Sequence, residues 1–129
     1  MKEERVRVVF LDDSEDLREL MPVLLESMLG VECICFAHLN ELENRAEEVL
    51  NAKVAIIDIN LGPGAPDGID AFNWLMLHGF QGKTLFFTGH GRTNPQVVLA
   101  ESKGVEVLEK PVHPDKLISS VTRALRETT

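Results

Sequence analysis

A chain of 129 residues matches one ordinary domain, long enough to bury a real hydrophobic core and too short for a second domain of comparable size. A formal charge of −8 without any basic run argues against direct binding to nucleic acid phosphates. No apolar stretch is long enough to cross a bilayer and no signal-peptide pattern opens the chain, so a cytoplasmic protein that meets other proteins, or small anions with a metal, is expected.

Strand-length apolar runs alternate five times with stretches of helical period. The first strand is read over about Arg5 to Leu11. A helix follows in which Leu17, Leu20, Met21, Leu24, Leu25 and Met28 form one apolar stripe ending near Gly30. Pro22 lies inside that stripe and is expected to kink the helix or displace a hydrogen bond. "VECICFA" reads as the second strand and "LNELENRAEEVL" as a second helix, the most exposed of the set. "KVAIID" has the continuous β-branched run of a strand covered on both faces, and ends in Asp58.

After the turn-rich loop "INLGPGAPDG", a helix is expected from about Ile69 to His78, with Ile69, Phe72, Leu75 and Met76 on one face. "KTLFFT" is the fourth strand, ending at Thr88. Asn94 can cap the next helix, Pro95 suits its first position and Gly104 ends it. "VEVLEK" is the fifth strand, ending at Lys110, and Pro114 stands near the start of a last helix whose Leu117, Ile118, Val121 and Leu125 face the sheet.

Five βα units imply an α/β fold, a doubly wound parallel sheet with right-handed crossovers and helices on both faces. Its commonest five-stranded order is 2-1-3-4-5, with ligands at the carboxyl ends of the strands near strands one and three. Asp12, Asp13 and Asp58 fall at that edge, with Thr88 and Lys110 on the same face of the sheet.

Two carboxylates about 5 Å apart repel by roughly 3 kcal/mol at an effective dielectric near 20, so three together need a counter-charge or raised pKa values. Mg²⁺, which favours carboxylate and carbonyl oxygens and keeps several waters, suits the cluster, and Lys110 adds a second positive charge. The constellation also suits phosphoryl transfer onto a carboxylate, with the Thr88 hydroxyl bonding the new phosphoryl group. Each residue has a plainer alternative. Asp13 or Ser14 could cap the following helix, Lys110 could be solvated, and Thr88 could be a strand residue chosen for β propensity. Asp58 at the neighbouring strand end makes metal binding outweigh capping.

Cys33 and Cys35 alternate along their strand, so they share a face and cannot form a disulfide without distortion; they are read as core or half-buried residues. His38, His78, His90 and His113 are dispersed without zinc-site spacing and read as surface or capping residues.

The set "LDDS", "IIDIN", "FFTGHG" and "LEKP", in this order at these strand ends, resembles the receiver domain of two-component response regulators, the flavodoxin-like fold termed CheY-like. The likeness runs from about Val6 to Leu125. It implies that Asp58 is the phospho-acceptor, that Asp12 and Asp13 form the acidic pair binding Mg²⁺, and that the Asn60 backbone carbonyl completes the protein ligands. Thr88 and Lys110 are then the phosphoryl-sensing pair, and the Lys110–Pro111 bond is expected to be cis. The implied phospho-donor is a sensor histidine kinase or histidine phosphotransfer protein, and the implied output a changed affinity for a downstream protein.

The sequence departs from the family at two places. Its loop from Asp58 to Gly68 is two residues longer than usual, with Pro63-Gly64-Ala65-Pro66 in place of a single proline. Val107 occupies a switch position that usually holds an aromatic residue, and the chain has no Tyr. His90 reads equally as a residue overhanging the site, where it would position or exclude water, and as a solvated loop histidine. Gly89 leaves space for a donor or serves turn geometry.

The expectation is one receiver domain over 1–129, with its core over about 5–126 and no output domain, either standing alone or excised from a longer regulator. It catalyses its own phosphorylation and hydrolysis only, and its signalling surface is expected around the fourth helix, fifth strand and fifth helix, with Val97, Val98, Val105 and Val107. Two alternatives are a receiver-like interaction module that works without phosphorylation and an aspartyl-phosphate phosphatase of the haloacid-dehalogenase type. Ser14, where that family places its general acid, argues against the phosphatase.

Overall fold

The computed structural model describes residues 5–62, 64, 66–89, 91 and 94–128. Strands β1 (Arg7–Leu11), β2 (Glu32–Phe36), β3 (Val54–Asp58), β4 (Lys83–Thr88) and β5 (Glu106–Glu109) pair in parallel in the order β2-β1-β3-β4-β5. The sheet is the doubly wound α/β arrangement that the βα alternation predicts, with β3 central and buried along its whole length. Alternation splits the apolar side chains between two cores. Val9, Leu11, Ala55, Ile57 and Phe86 face α2 (Leu39–Glu43), α3 (Ala46–Leu50), α4 (Gly68–Leu77) and α5 (Pro95–Ser102). Val8, Phe10, Val54, Ile56, Leu85 and Phe87 face α1 (Glu15–Leu29) and α6 (Pro114–Glu127).

Three local expectations change. The stretch from Leu39 to Leu50 is two short helices rather than one, because Asn44 caps the first and Arg45 leaves the helical basin at φ −122° and ψ 38°. Arg45 is held there by a bidentate pair with Glu48 and lies over the Phe36 ring. The break lets Leu39, Leu42 and Val49 all turn into the core, so these segments are better anchored than their polar composition suggests. On α1 the buried stripe is narrower than predicted: Met21 and Leu25 are buried, but Leu20 is 57% and Met28 59% exposed.

Helix α1 also runs unbroken through Pro22. A proline there has no N–H for the Arg18 carbonyl four residues earlier. The Cys35 thiol on β2 supplies the donor instead, with Sγ 3.5 Å from that oxygen. The freed carbonyl is satisfied from the sheet.

Capping residues set the ends of the elements around the sheet's carboxyl edge. Ser14 Oγ accepts from Leu17 N at 3.3 Å, His113 Nδ1 from Asp115 N at 3.1 Å, and Asn94 Oδ1 from Gln96 N at 2.9 Å. Asp67 and Asp70 form a reciprocal capping box at the start of α4. Asp67 also accepts a 2.6 Å hydrogen bond from Gln96 Nε2, tying the first turns of α4 and α5 together.

Gly68 opens α4 directly against the end of β3. A Cβ built there would lie 2.3 Å from the Asp58 carbonyl oxygen and 2.8 Å from Ile59 Cα. Both obstacles are backbone and cannot swing away. Gly68→Ala is therefore expected to lower stability by roughly 1–3 kcal/mol in urea denaturation, the ordinary cost of overpacking, and an unchanged midpoint would contradict this packing.

Candidate functional site

The parallel ladders continue one residue beyond the strand ends, and those extra bonds place the polar side chains. Asp12 N donates to Phe36 O at 3.0 Å, Ile59 N to Phe87 O at 2.9 Å, and Lys110 N to Thr88 O at 2.7 Å. Asp12, Asp58, Thr88 and Lys110 are thereby brought to one edge of the sheet, as the sequence predicts. The Lys110–Pro111 bond is cis.

Asp12 is wholly buried. Its Oδ1 accepts from Ser14 N at 2.9 Å, and its carbonyl accepts from Arg18 Nη1 at 3.0 Å. Ser14 is thus the helix cap, which leaves Asp12 and the exposed Asp13 free of capping duty. Asp58, nearly as buried, accepts from Asn60 N on Oδ1 at 3.2 Å and from Lys110 Nζ on Oδ2 at 3.2 Å. Lys110 Nζ also lies 2.8 Å from Asp12 Oδ2, an ion pair, although that oxygen receives no well-aligned hydrogen bond.

Carboxylate oxygens of Asp12, Asp13 and Asp58 lie within 4.8 Å of one another. Among the described residues, one ammonium faces three carboxylates, which leaves two negative charges unmatched when all are ionised. Burial, reinforced by the charge of Asp12, pushes Asp58 up to about 6 despite the opposing pull of Lys110. Burial works against the charged form of Lys110, but the close ion pair with Asp12 and the charge and hydrogen bond of Asp58 outweigh it and raise its pKa. A buried carboxylate oxygen without a well-aligned donor, beside two further carboxylates, is a donor set suited to a hard divalent cation.

The remaining predicted positions lie nearby or elsewhere. Thr88 is buried at the end of β4, one residue beyond Phe87, the register partner of Asp58. Gly89 is exposed, and a Cβ there would meet nothing within 4 Å, so no close packing requires a glycine at this position. Val107 is buried in β5 opposite Phe86, packed with Val97 and Ala100. His90, Pro63 and Ala65 lie outside the described residues. Along the longer loop, Gly62 and Gly64 adopt positive φ, and Gly62 passes beside Asp13, whose Oδ2 is 3.7 Å from the position of an added Cβ. Sequence reasoning missed Arg18, Gly68 and the Gln96–Asp67 bond. Arg18 carries no local signal, since an arginine on a helix's polar side is unexceptional.

The sequence pattern described as the response regulator receiver domain matches residues 8–122. Among solved structures, a CheY-like response regulator receiver domain protein from Methanospirillum hungatei JF-1 superposes with a TM-score of 0.83 at 22% identity, over 97% of each chain. The signal receiver domain of a putative Luxo repressor protein from Vibrio parahaemolyticus gives 0.78 at 23% identity, over 96% of this chain and 92% of that one. NtrX from Brucella abortus gives 0.83 at 22% identity, over 96% of this chain but only 28% of its own. No curated protein sequence matches. Among the described residues no helix is long and apolar enough to cross a membrane.

The raised pKa of Asp58 has a definite sign. Its protonated form is favoured by folding, so its contribution to stability is full below the ordinary value of 3.8 and lost as pH rises through about 6. With divalent ions chelated, the stability of the wild type relative to Asp58→Asn is expected to fall by roughly 1–3 kcal/mol between about pH 4 and about pH 8. Urea denaturation across that range measures it, and a difference independent of pH would refute it.

Proposed function

The chain belongs to the response regulator receiver domain family, and from that membership we propose that it accepts a phosphoryl group on Asp58 from a histidine kinase or histidine phosphotransfer protein and thereby changes its affinity for a protein partner. The observation that carries this reading is the buried Asp58 at the end of β3, facing Asp12, Asp13 and Lys110 on the neighbouring strand ends.

In the proposed transfer, an Asp58 carboxylate oxygen attacks phosphorus. The new O–P bond forms as the N–P bond of the donor phosphohistidine breaks, and the leaving imidazole takes up a proton. Asp12, Asp13, Asp58 and the Asn60 carbonyl would hold Mg²⁺, which when bound supplies positive charge against the phosphoryl oxygens. Lys110, already bonded to Asp58, is placed to pair with the phosphoryl group once Asp58 is esterified. The Thr88 hydroxyl would donate to another phosphoryl oxygen.

The reading makes the protein a switch acting in the cytoplasm, whose only chemistry is its own phosphorylation and dephosphorylation. Val107 favours an output that does not rely on an aromatic rotamer, because a buried valine packed against Phe86, Val97 and Ala100 has little side chain to swing. A second reading, an interaction module that works unphosphorylated, draws on the same residue and on the lengthened loop.

Incubation with acetyl phosphate and Mg²⁺ followed by intact-mass measurement separates the two. The proposal expects a base-labile adduct of one phosphoryl group on the wild type and none on Asp58→Asn. No adduct from acetyl phosphate or from a cognate kinase would leave the phosphorylation-independent module.

A further inference from the structure

Cys33 and Cys35 form a second cluster of ligating side chains, on the opposite side of β1 from Asp58. They sit two residues apart on the edge strand β2, facing α1 in register with Val8 and Phe10, and their sulfurs are 4.0 Å apart. Cys33 is buried and Cys35 half-buried. The hydrogen bond to Arg18 O accounts for Cys35 as a helix partner, but not for a second thiol aimed at it.

The spacing decides what the pair can bind. A disulfide needs the sulfurs about 2 Å closer, which two alternate residues of a paired strand do not reach without buckling it. A single bridging atom needs no such movement. Metal–sulfur arms of about 2.3 Å span a 4.0 Å gap at an angle of about 120°, between tetrahedral and linear. Among the described residues no third His, Cys, Asp or Glu comes within 4.8 Å of both sulfurs, which suits an ion satisfied by two thiolates and solvent. The two thiols are unequal. Cys35 is shifted below the usual thiol range, chiefly by the Cys33 hydrogen bond with Arg18 assisting, against burial and the Glu26 carboxylate, while Cys33 is shifted upward by that same bond, by burial and by the charges of Cys35 and Glu26, so the cation itself has to displace the Cys33 proton.

We propose that Cys33 and Cys35 are a dithiol site for one soft d¹⁰ cation, separate from the acidic cluster. On binding, two metal–sulfur bonds form and both thiol protons pass to solvent, including the proton that Cys35 shares with the Arg18 carbonyl.

The test uses the reduced full chain with saturating Mg²⁺, titrated with Cd²⁺ and followed by the ultraviolet thiolate-to-cadmium charge-transfer band. The expected result is saturation at one Cd²⁺ per chain, with release of two protons, unchanged in Asp58→Asn. Cys33→Ser and Cys35→Ser should each bind about a hundredfold more weakly, because each loses the chelate. A wild-type band no stronger than that of Cys35→Ser would overturn the proposal. So would saturation at one ion per two chains, which would mean a bridge between molecules. The wild-type stoichiometry decides the matter even if the Cys33 variant folds poorly.

Discussion

The burial of two like-charged carboxylates at one sheet edge is the constraint on which the rest of this structure depends. Asp12 and Asp58 lie at the ends of the adjacent strands β1 and β3, almost without solvent, and among the described residues the Lys110 ammonium is the cation paired with both. Such an arrangement is costly unless the backbone fixes it, since a mobile aspartate would turn toward water. The ladder extensions at Asp12, Ile59 and Lys110 provide that fixation. The sheet therefore holds the charges together, and the site inherits its geometry from β pairing rather than from its loops.

Family membership and the sheet order were legible from a few residues because they depend on short-range pattern. The β-branched run ending in Asp58, the pair after β1 and the lysine before a proline can each be placed without knowing the tertiary structure. What escaped the sequence depends on distant parts meeting. Arg18 matters because α1 brings its guanidinium back to the Asp12 carbonyl, and Gly68 because α4 begins against the backbone of β3. The two short helices after β2 show the converse limit, where a continuous helical pattern is cut by Arg45 binding Glu48 and covering Phe36. Pro22 interrupts the helical ladder as its position predicts, but the donor that replaces its missing N–H is the Cys35 thiol across the core.

That remedy also links two regions that the sequence keeps apart. Arg18 receives the Cys35 thiol on its carbonyl and gives its guanidinium to the Asp12 carbonyl. Phe36, next to Cys35, accepts the Asp12 amide. Asp12 is thus held at both its backbone groups by the same corner of α1 and β2 that carries the thiols. The edge strand is part of the support of the acidic cluster, although it contributes no residue to it.

The bond between Gln96 and Asp67 joins the far end of the lengthened loop after Asp58 to a second helix. One end of that loop is anchored in the sheet at Asp58, and the other in the capping box of α4, to which the first turn of α5 is fastened. The first turns of α4 and α5 are therefore set against the same sheet end that carries Asp58, through contacts that do not involve Val107.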